Sequence, residues 1–142
     1  MIKVVIYSFL FFLSLKTFGQ KSMSIDTSTI YLMVDSMPTM PDGQSINDGF
    51  NRLFSKDFRY PNSMTCLIYR LKFEFVISYD GSIIAKKVII RGYDDCEKDV
   101  EILKNAGLEF LDRFPKCKPG KYKGNFAKVK FTFPYLLNLQ EQ

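Results

Sequence analysis

The sequence predicts a two-layer α+β domain in which two helices cover one face of a mostly antiparallel sheet of three or four strands. Apolar and polar residues alternate over 67–79, the pattern of a half-buried strand. Asp80-Gly81 follows directly, which is a favoured hairpin turn, and 83–91 supplies the returning strand. Apolar stripes of helical period lie on both sides of this hairpin, so the predicted helices flank it in the chain.

The turn length sets the register of the hairpin. A two-residue turn at Asp80-Gly81 places Glu74 opposite Lys87, and this pair would contribute about 0.2–1 kcal/mol on the face away from the core. If Tyr79 also belongs to the turn, the residue opposite Glu74 becomes Lys86.

The first helix is predicted to begin at Ser45, which forms a sequence resembling a capping box with Asp48. It should end before Tyr60-Pro61, because the residue before a proline avoids the helical region. Its predicted buried stripe is Ile46, Phe50, Leu53 and Phe54.

The second helix is expected to be capped by Asp94 or Asp95 and stopped by Pro115. Its predicted buried stripe is Cys96, Val100, Leu103, Gly107, Phe110, Leu111 and Phe114.

Two further strands are predicted at the ends of the domain. Residues 30–34 form a short apolar run that suits an edge strand. Alternation over 127–133 predicts a last strand, which Pro134 should close. The apolar tail 135–139 is then expected to fold back onto the body.

The N-terminus has the pattern of an export signal. Lys3 provides a positive start, an apolar run covers 4–15, and Gly19 before Gln20 fits a cleavage site. The run is shorter than the roughly 20 apolar residues that span a bilayer. We therefore predict a signal peptide at 1–19, a flexible leader at 20–29 and a domain at 30–142, located in the periplasm or cell envelope. The alternative is that 4–15 is retained as a membrane anchor.

Composition restricts the chemistry. The chain has 142 residues, enough for one domain, and contains no histidine, which excludes Ser-His-Asp and Cys-His catalysis. Lys3 and Lys16 carry two of the formal +5 charges, so the exported part is only mildly basic, and export itself argues against nucleic acid as a partner. We expect no metal and no cofactor. The carboxylates at 94–97 are explained by capping of a helix.

Several short motifs, in this order and spacing, resemble the C-terminal domain of TonB in its Bacteroidetes-type form. The resemblance covers roughly residues 30–138. The matching motifs are Val34-Asp35-Ser36-Met37-Pro38 with Pro41-Asp42-Gly43, Tyr60-Pro61, Asp80-Gly81, Pro115, Lys118-Pro119-Gly120, Gly124, Phe131 and Pro134.

The resemblance implies a non-catalytic protein-binding module linked to TonB-dependent transmembrane transport. Domains of this family bind an extended peptide of an outer-membrane transporter by adding it to a sheet edge. The C-terminal strand is expected at that edge, where the binding residues would be Phe126, Lys128, Val129, Lys130, Phe131 and Thr132. The same lysines also suit an edge that is protected against aggregation.

If the protein is exported, its three cysteines are in an oxidising environment, where disulfides form. The hairpin register brings Cys66 opposite residue 95, so we predict a Cys66–Cys96 disulfide, which requires Cα atoms roughly 4.4–6.8 Å apart. The alternative is a pair of buried free thiols. Cys117 is expected to be unpaired.

Three functions remain to be compared. The first is an exported peptide-binding module, and the second is a membrane-anchored component of an energy-transduction system that keeps 4–15. The third is a small secreted hydrolase with a carboxylate site, which the missing histidine disfavours.

We expect the mature protein to begin at Gln20, because the residues before it match a signal-peptidase site. Intact-mass spectrometry of the exported protein measures this start directly. A mass that includes residues 1–19 would instead support the anchored component.

Overall fold

The computed structural model describes residues 28–65, 68–92 and 96–138. The predicted signal peptide, most of the leader and Cys66 lie outside the described residues. The elements are, in chain order, β1 (Ile30–Tyr31), α1 (Ile46–Asp57), β2 (Ile68–Ile77), β3 (Ile83–Gly92), α2 (Glu97–Asp112), β4 (Gly120–Tyr122) and β5 (Asn125–Asn138). The predicted α+β class with two helices and a mostly antiparallel sheet is confirmed.

The sheet has five strands, one more than the upper end of the prediction. Strand β2 is central and pairs antiparallel with β3 on one side and β5 on the other. Strand β1 pairs parallel with β5, and β4 forms a hairpin with the start of β5. Strand β4 was not predicted, because a strand of three residues containing Gly120 has no periodic signal.

In the β2–β3 hairpin, Glu74 has one of the two predicted partners, but the turn and the register of β3 differ from those predicted with that partner. Glu74 lies opposite Lys87, as predicted. However, Tyr79 does belong to the turn, because the Ser78 amide donates to the Ser82 carbonyl at 2.8 Å. The register shifts by one residue between Glu74 and Val76. Ala85, with φ of 50°, lies in this irregular stretch of β3, which restores the partner expected for a shorter turn.

Pro134 does not close the last strand, so that prediction is wrong. Strand β5 continues through Pro134 to Asn138 and stays paired with β2 over its whole second half. Beyond Val129, no described strand pairs with the other side of β5. A proline is tolerated there because its missing N–H can point away from the sheet.

The core is a cluster of aromatic rings between the helices and the sheet. Phe50 of α1 is fully buried and stacks on Phe133 of β5, with ring centroids 4.1 Å apart. It also contacts Phe73 of β2 and Phe110 of α2 edge-on, each at 5.4 Å. One side chain therefore touches both helices and two strands.

Helix α1 begins as the sequence predicts. Ser45 is the N-cap, and its hydroxyl accepts the Asp48 amide at 3.1 Å. Ile46, Phe50 and Phe54 are buried, whereas Leu53 is half-buried. The 3.6-residue period thus identified the face that packs on the sheet.

Helix α2 begins differently from the prediction. Its N-cap residue is Cys96, without a side-chain cap, while Asp94 and Asp95 lie outside the described residues. The buried carboxylate of Asp99, in the first turn, accepts the Thr65 amide at 2.6 Å and the Tyr69 hydroxyl at 2.8 Å. These bonds fasten the start of α2 to β2.

We expect Phe50→Ala to destabilise the domain by about 3–5 kcal/mol, because the substitution opens a cavity at the junction of four elements. Ser55→Ala, an exposed position on the same helix, is the matched control and should change stability by less than about 0.5 kcal/mol. Urea unfolding followed by circular dichroism measures both. Equal effects of the two substitutions would contradict this view of the core.

Candidate functional site

The predicted binding edge is only partly an edge. Phe126 is paired with Lys121 of β4, and Lys128 and Val129 are paired with β1. Val129 also faces Ile77 of β2, so strands occupy both of its sides. The prediction that the C-terminal strand is outermost is therefore wrong over 126–129.

Strand β1 occupies this position because it closes a second, small core. The rings of Tyr31 and Tyr122 lie 4.7 Å apart. Buried Val34, Ala127 and Val129 lie beneath them. A strand of two residues gave little signal in the sequence beyond an apolar run.

The other predicted binding residues lie on the uncovered part of β5. Lys130, Phe131 and Thr132 lie beyond the part of β5 that β1 covers. They belong to the stretch 130–137, called here the open edge, whose outer side pairs with no described strand. Thr132, Pro134 and Leu136 are exposed along it, Leu136 by 67%. An exposed leucine beside backbone that no described strand pairs is a feature of sheet edges that accept another chain.

Pro134 indicates which backbone groups face outward along the open edge. Because the proline nitrogen carries no hydrogen, it fits a sheet only where it faces away from the neighbouring strand. Backbone groups alternate in direction along a strand. Thr132 and Leu136 therefore have the same direction as Pro134, and their amides are the donors available at this edge.

Lys130 is engaged in an ion pair on the sheet surface. Its Nζ lies 3.3 Å from Glu74, whose other carboxylate oxygen is 2.9 Å from Lys72. The hydrogen bond from Lys72, followed by the interactions with Lys130, holds the pKa of the Glu74 carboxyl below its ordinary value. The predicted pairing partner Lys87 lies opposite Glu74, but the carboxylate is bound by Lys72 and Lys130 instead.

Two motifs that carry the family resemblance meet in space. The Thr39 and Lys118 backbones exchange two hydrogen bonds, of 3.1 and 2.8 Å, and Ser36 and Lys121 exchange another two. Pro38 is buried in this contact, and its ring leaves no room for a Cβ at Gly120. The Met-Pro segment and the Lys-Pro-Gly segment thus form one structural unit beside the start of β5.

The basic loop 116–130 is largely a surface hairpin. Lys121 and Lys123 lie over the rings of Phe126 and Tyr122, at 5.1 and 5.3 Å from the ring centroids. Such cation–π contacts explain why lysines and aromatic residues interleave here. Lys121 and Lys123 are both exposed, so this hairpin presents a solvated basic surface.

Two of the three cysteines, Cys96 and Cys117, lie within the described residues. Cys117 is buried and free, and burial raises the pKa of its thiol to about 11. Cys96 is buried at the start of α2. Because Cys66 lies outside the described residues, the Cys66–Cys96 disulfide stays a prediction.

Over 28–65, 68–92 and 96–138, no cluster of three metal-ligating side chains occurs, and no helix is long and apolar enough to cross a membrane. The buried carboxylate of this region, Asp99, is engaged by Thr65 and Tyr69 as described above. Every buried side-chain polar atom in the described part of the chain has a hydrogen-bond partner.

Comparisons with protein-family models, with curated proteins and with solved structures found no match to this chain. The resemblance to TonB C-terminal domains therefore remains a prediction from sequence motifs.

Cys117 should be nearly inert in the folded protein, because only the thiolate reacts and a pKa of about 11 leaves little of it at pH 8. We expect iodoacetamide to modify this residue only after unfolding in urea. Peptide mapping without a reductant should recover a Cys66–Cys96 linked peptide. Rapid native labelling of Cys117, or recovery of Cys66 as a free thiol, would contradict the respective assignment.

Proposed function

We propose that this protein is a non-catalytic binding module of the cell envelope that takes up an extended peptide by strand addition along the open edge. The proposal depends on the pairing of the stretch 130–137, which is bonded to β2 on one side and to no described strand on the other. Backbone hydrogen bonds would supply affinity, and side chains on alternate positions would supply selectivity.

The side chains along the open edge favour strand addition over a protective role for the edge lysines. Lys130 is held across the sheet surface by Glu74, so its ammonium is directed along the face of the sheet. Past it, the side chains at the edge are Thr132, Pro134 and Leu136, which carry no charge to repel an incoming strand. Edges are protected by charges or by proline, and of these the open edge past Lys130 presents only Pro134, which leaves the Thr132 and Leu136 amides as donors.

The other outer strand is less suited to strand addition. Strand β3 contains the register shift and the positive φ of Ala85. Bulges of this kind twist an edge and interrupt its hydrogen-bonding pattern. Lys86 and Lys87 are exposed next to this irregularity. We therefore assign binding to β5.

The sequence resemblance suggests the partner class. A TonB-like domain would bind a segment of an outer-membrane transporter, and transport across that membrane would be the process served. The anchored energy-transduction component remains the second candidate, since it would use the same edge. The mature N-terminus distinguishes the two.

A titration of isotopically labelled domain with transporter-derived peptides tests strand addition. We expect the largest amide shifts at Thr132 and Leu136, whose N–H groups face outward, and smaller ones at Phe131 and Phe133, which face β2. Hydrogen exchange at Thr132 and Leu136 should slow on binding.

The matched controls are two versions of a binding peptide that are N-methylated on alternate sets of amides. One set faces β5 in an added strand, and its methylation should weaken binding about ten-fold or more, because several hydrogen bonds of about 0.5–1.5 kcal/mol are lost. The other set faces solvent and should tolerate methylation. Equal effects of the two sets, or shifts confined to β3, would remove strand addition at β5.

A further inference from the structure

The sheet has a second surface, which shares the β5 side chains of the open edge but also includes side chains of β2 and β3 that the proposed function does not use. The helices cover one face, and the described residues that point to the opposite face form four rows across β3, β2 and β5. Next to the turn lies the row Ile84–Val76–Lys130. The three rows beyond it are Lys87–Glu74–Thr132, Ile89–Lys72–Pro134 and Arg91–Arg70–Leu136. This surface is called here the open face.

The open face contains a groove of about 520 Å³. Its apolar side chains come from β3 and β5, and its charged side chains come from β2 and β3. The groove is lined mainly by Arg70, Lys72, Ile89, Arg91, Pro134 and Leu136. Its volume lies within the roughly 300–1,000 Å³ that is usual for small-molecule sites.

Charge in the groove is unbalanced. Glu74 is the one carboxylate in the three rows, and it is bound by Lys72 and Lys130. Within the described residues, Arg70 and Arg91 form no ion pair or hydrogen bond. They lie directly opposite each other on neighbouring strands, where like charges are destabilising. An anion placed between them would relieve this repulsion.

The apolar side chains that line the groove are also accessible to solvent. Leu136 lies opposite Arg70 and is 67% exposed, next to exposed Pro134 and half-buried Ile89. A simple anion would make no use of these side chains. A ligand with both a charged head and a hydrocarbon portion would cover them and would remove apolar surface from water.

We propose that the groove binds a free single-chain amphiphilic anion, an alkyl carboxylate or alkyl phosphate. Its head would lie between the guanidinium groups of Arg70 and Arg91, whose planar forks bind carboxylate and phosphate in a bidentate manner. Its chain would lie over Ile89, Pro134 and Leu136. A groove of about 520 Å³ has room for one such molecule, which distinguishes this ligand from a membrane surface.

Calorimetric titration with octyl phosphate below its micellar concentration tests the site. We expect saturable binding with one site per chain. Arg70→Gln or Arg91→Gln should weaken it about ten-fold or more, because each removes charge-assisted hydrogen bonds. Lys87→Gln, the same charge change on the same face outside the groove, is the matched control and should weaken it less than about two-fold. Leu136→Ser should weaken octyl phosphate while leaving the response to inorganic phosphate unchanged.

Folding of the variants can be verified independently. Removal of either arginine relieves the repulsion between the two, so the midpoint of thermal unfolding should stay equal or rise. The proposal would be overturned by an absence of saturable binding, or by equal weakening in Lys87→Gln. Inorganic phosphate that binds as tightly as octyl phosphate would also overturn it. If octyl phosphate does not bind, sedimentation of the protein with anionic phosphatidylglycerol vesicles would overturn the proposal. Binding of a poly-glutamate peptide in its place would do the same.

Discussion

The stack of Phe50 on Phe133 is the contact on which the rest of the structure depends. The two rings lie 4.1 Å apart at an interplanar angle of 2°, so the first helix is fixed against the last strand. Tyr135, one pleat further along β5, donates its hydroxyl to Asn51 of the same helix. Both interactions come from the helix-covered face of β5. They hold this strand in the sheet beyond Val129, where no described strand pairs with its outer backbone.

Because the helices cover one face of the sheet, the residues on its opposite face are mainly polar. A sheet that is covered on one face alternates apolar and polar residues along each strand. Strand β2 follows this rule, with buried Leu71, Phe73 and Phe75 on one side and Arg70, Lys72 and Glu74 on the other. The regular alternation that made β2 recognisable in the sequence thus also produced the charged open face. The alternation along β2 therefore accounts both for the buried side of the sheet and for the charged candidate binding surface.

The sequence predicted local features better than the relations between strands. Periodicity identified α1, the face it buries and the central hairpin, because these depend on residues close in the chain. The position of β1 beside β5 depends on contacts such as Tyr31 with Tyr122, which are distant in sequence and have no periodic signal. For this reason, Phe126, Lys128 and Val129 were wrongly assigned to a free edge. The partner of Glu74 was predicted correctly although Tyr79 joins the turn, since the shift in β3 compensates for it.

The opposition of Arg70 and Arg91 could have been read from the sequence once the hairpin register was set. Each residue alone looks like an ordinary solvated charge on a strand, and only the cross-strand pairing places two like charges side by side. Retention of such a pair, on a face whose one carboxylate is bound elsewhere, is unfavourable for stability alone. Natural chains keep unfavourable local arrangements mostly where binding requires them. The open edge and the open face meet at Leu136, so one side of this small domain carries both candidate binding surfaces while the other side is occupied by its aromatic core.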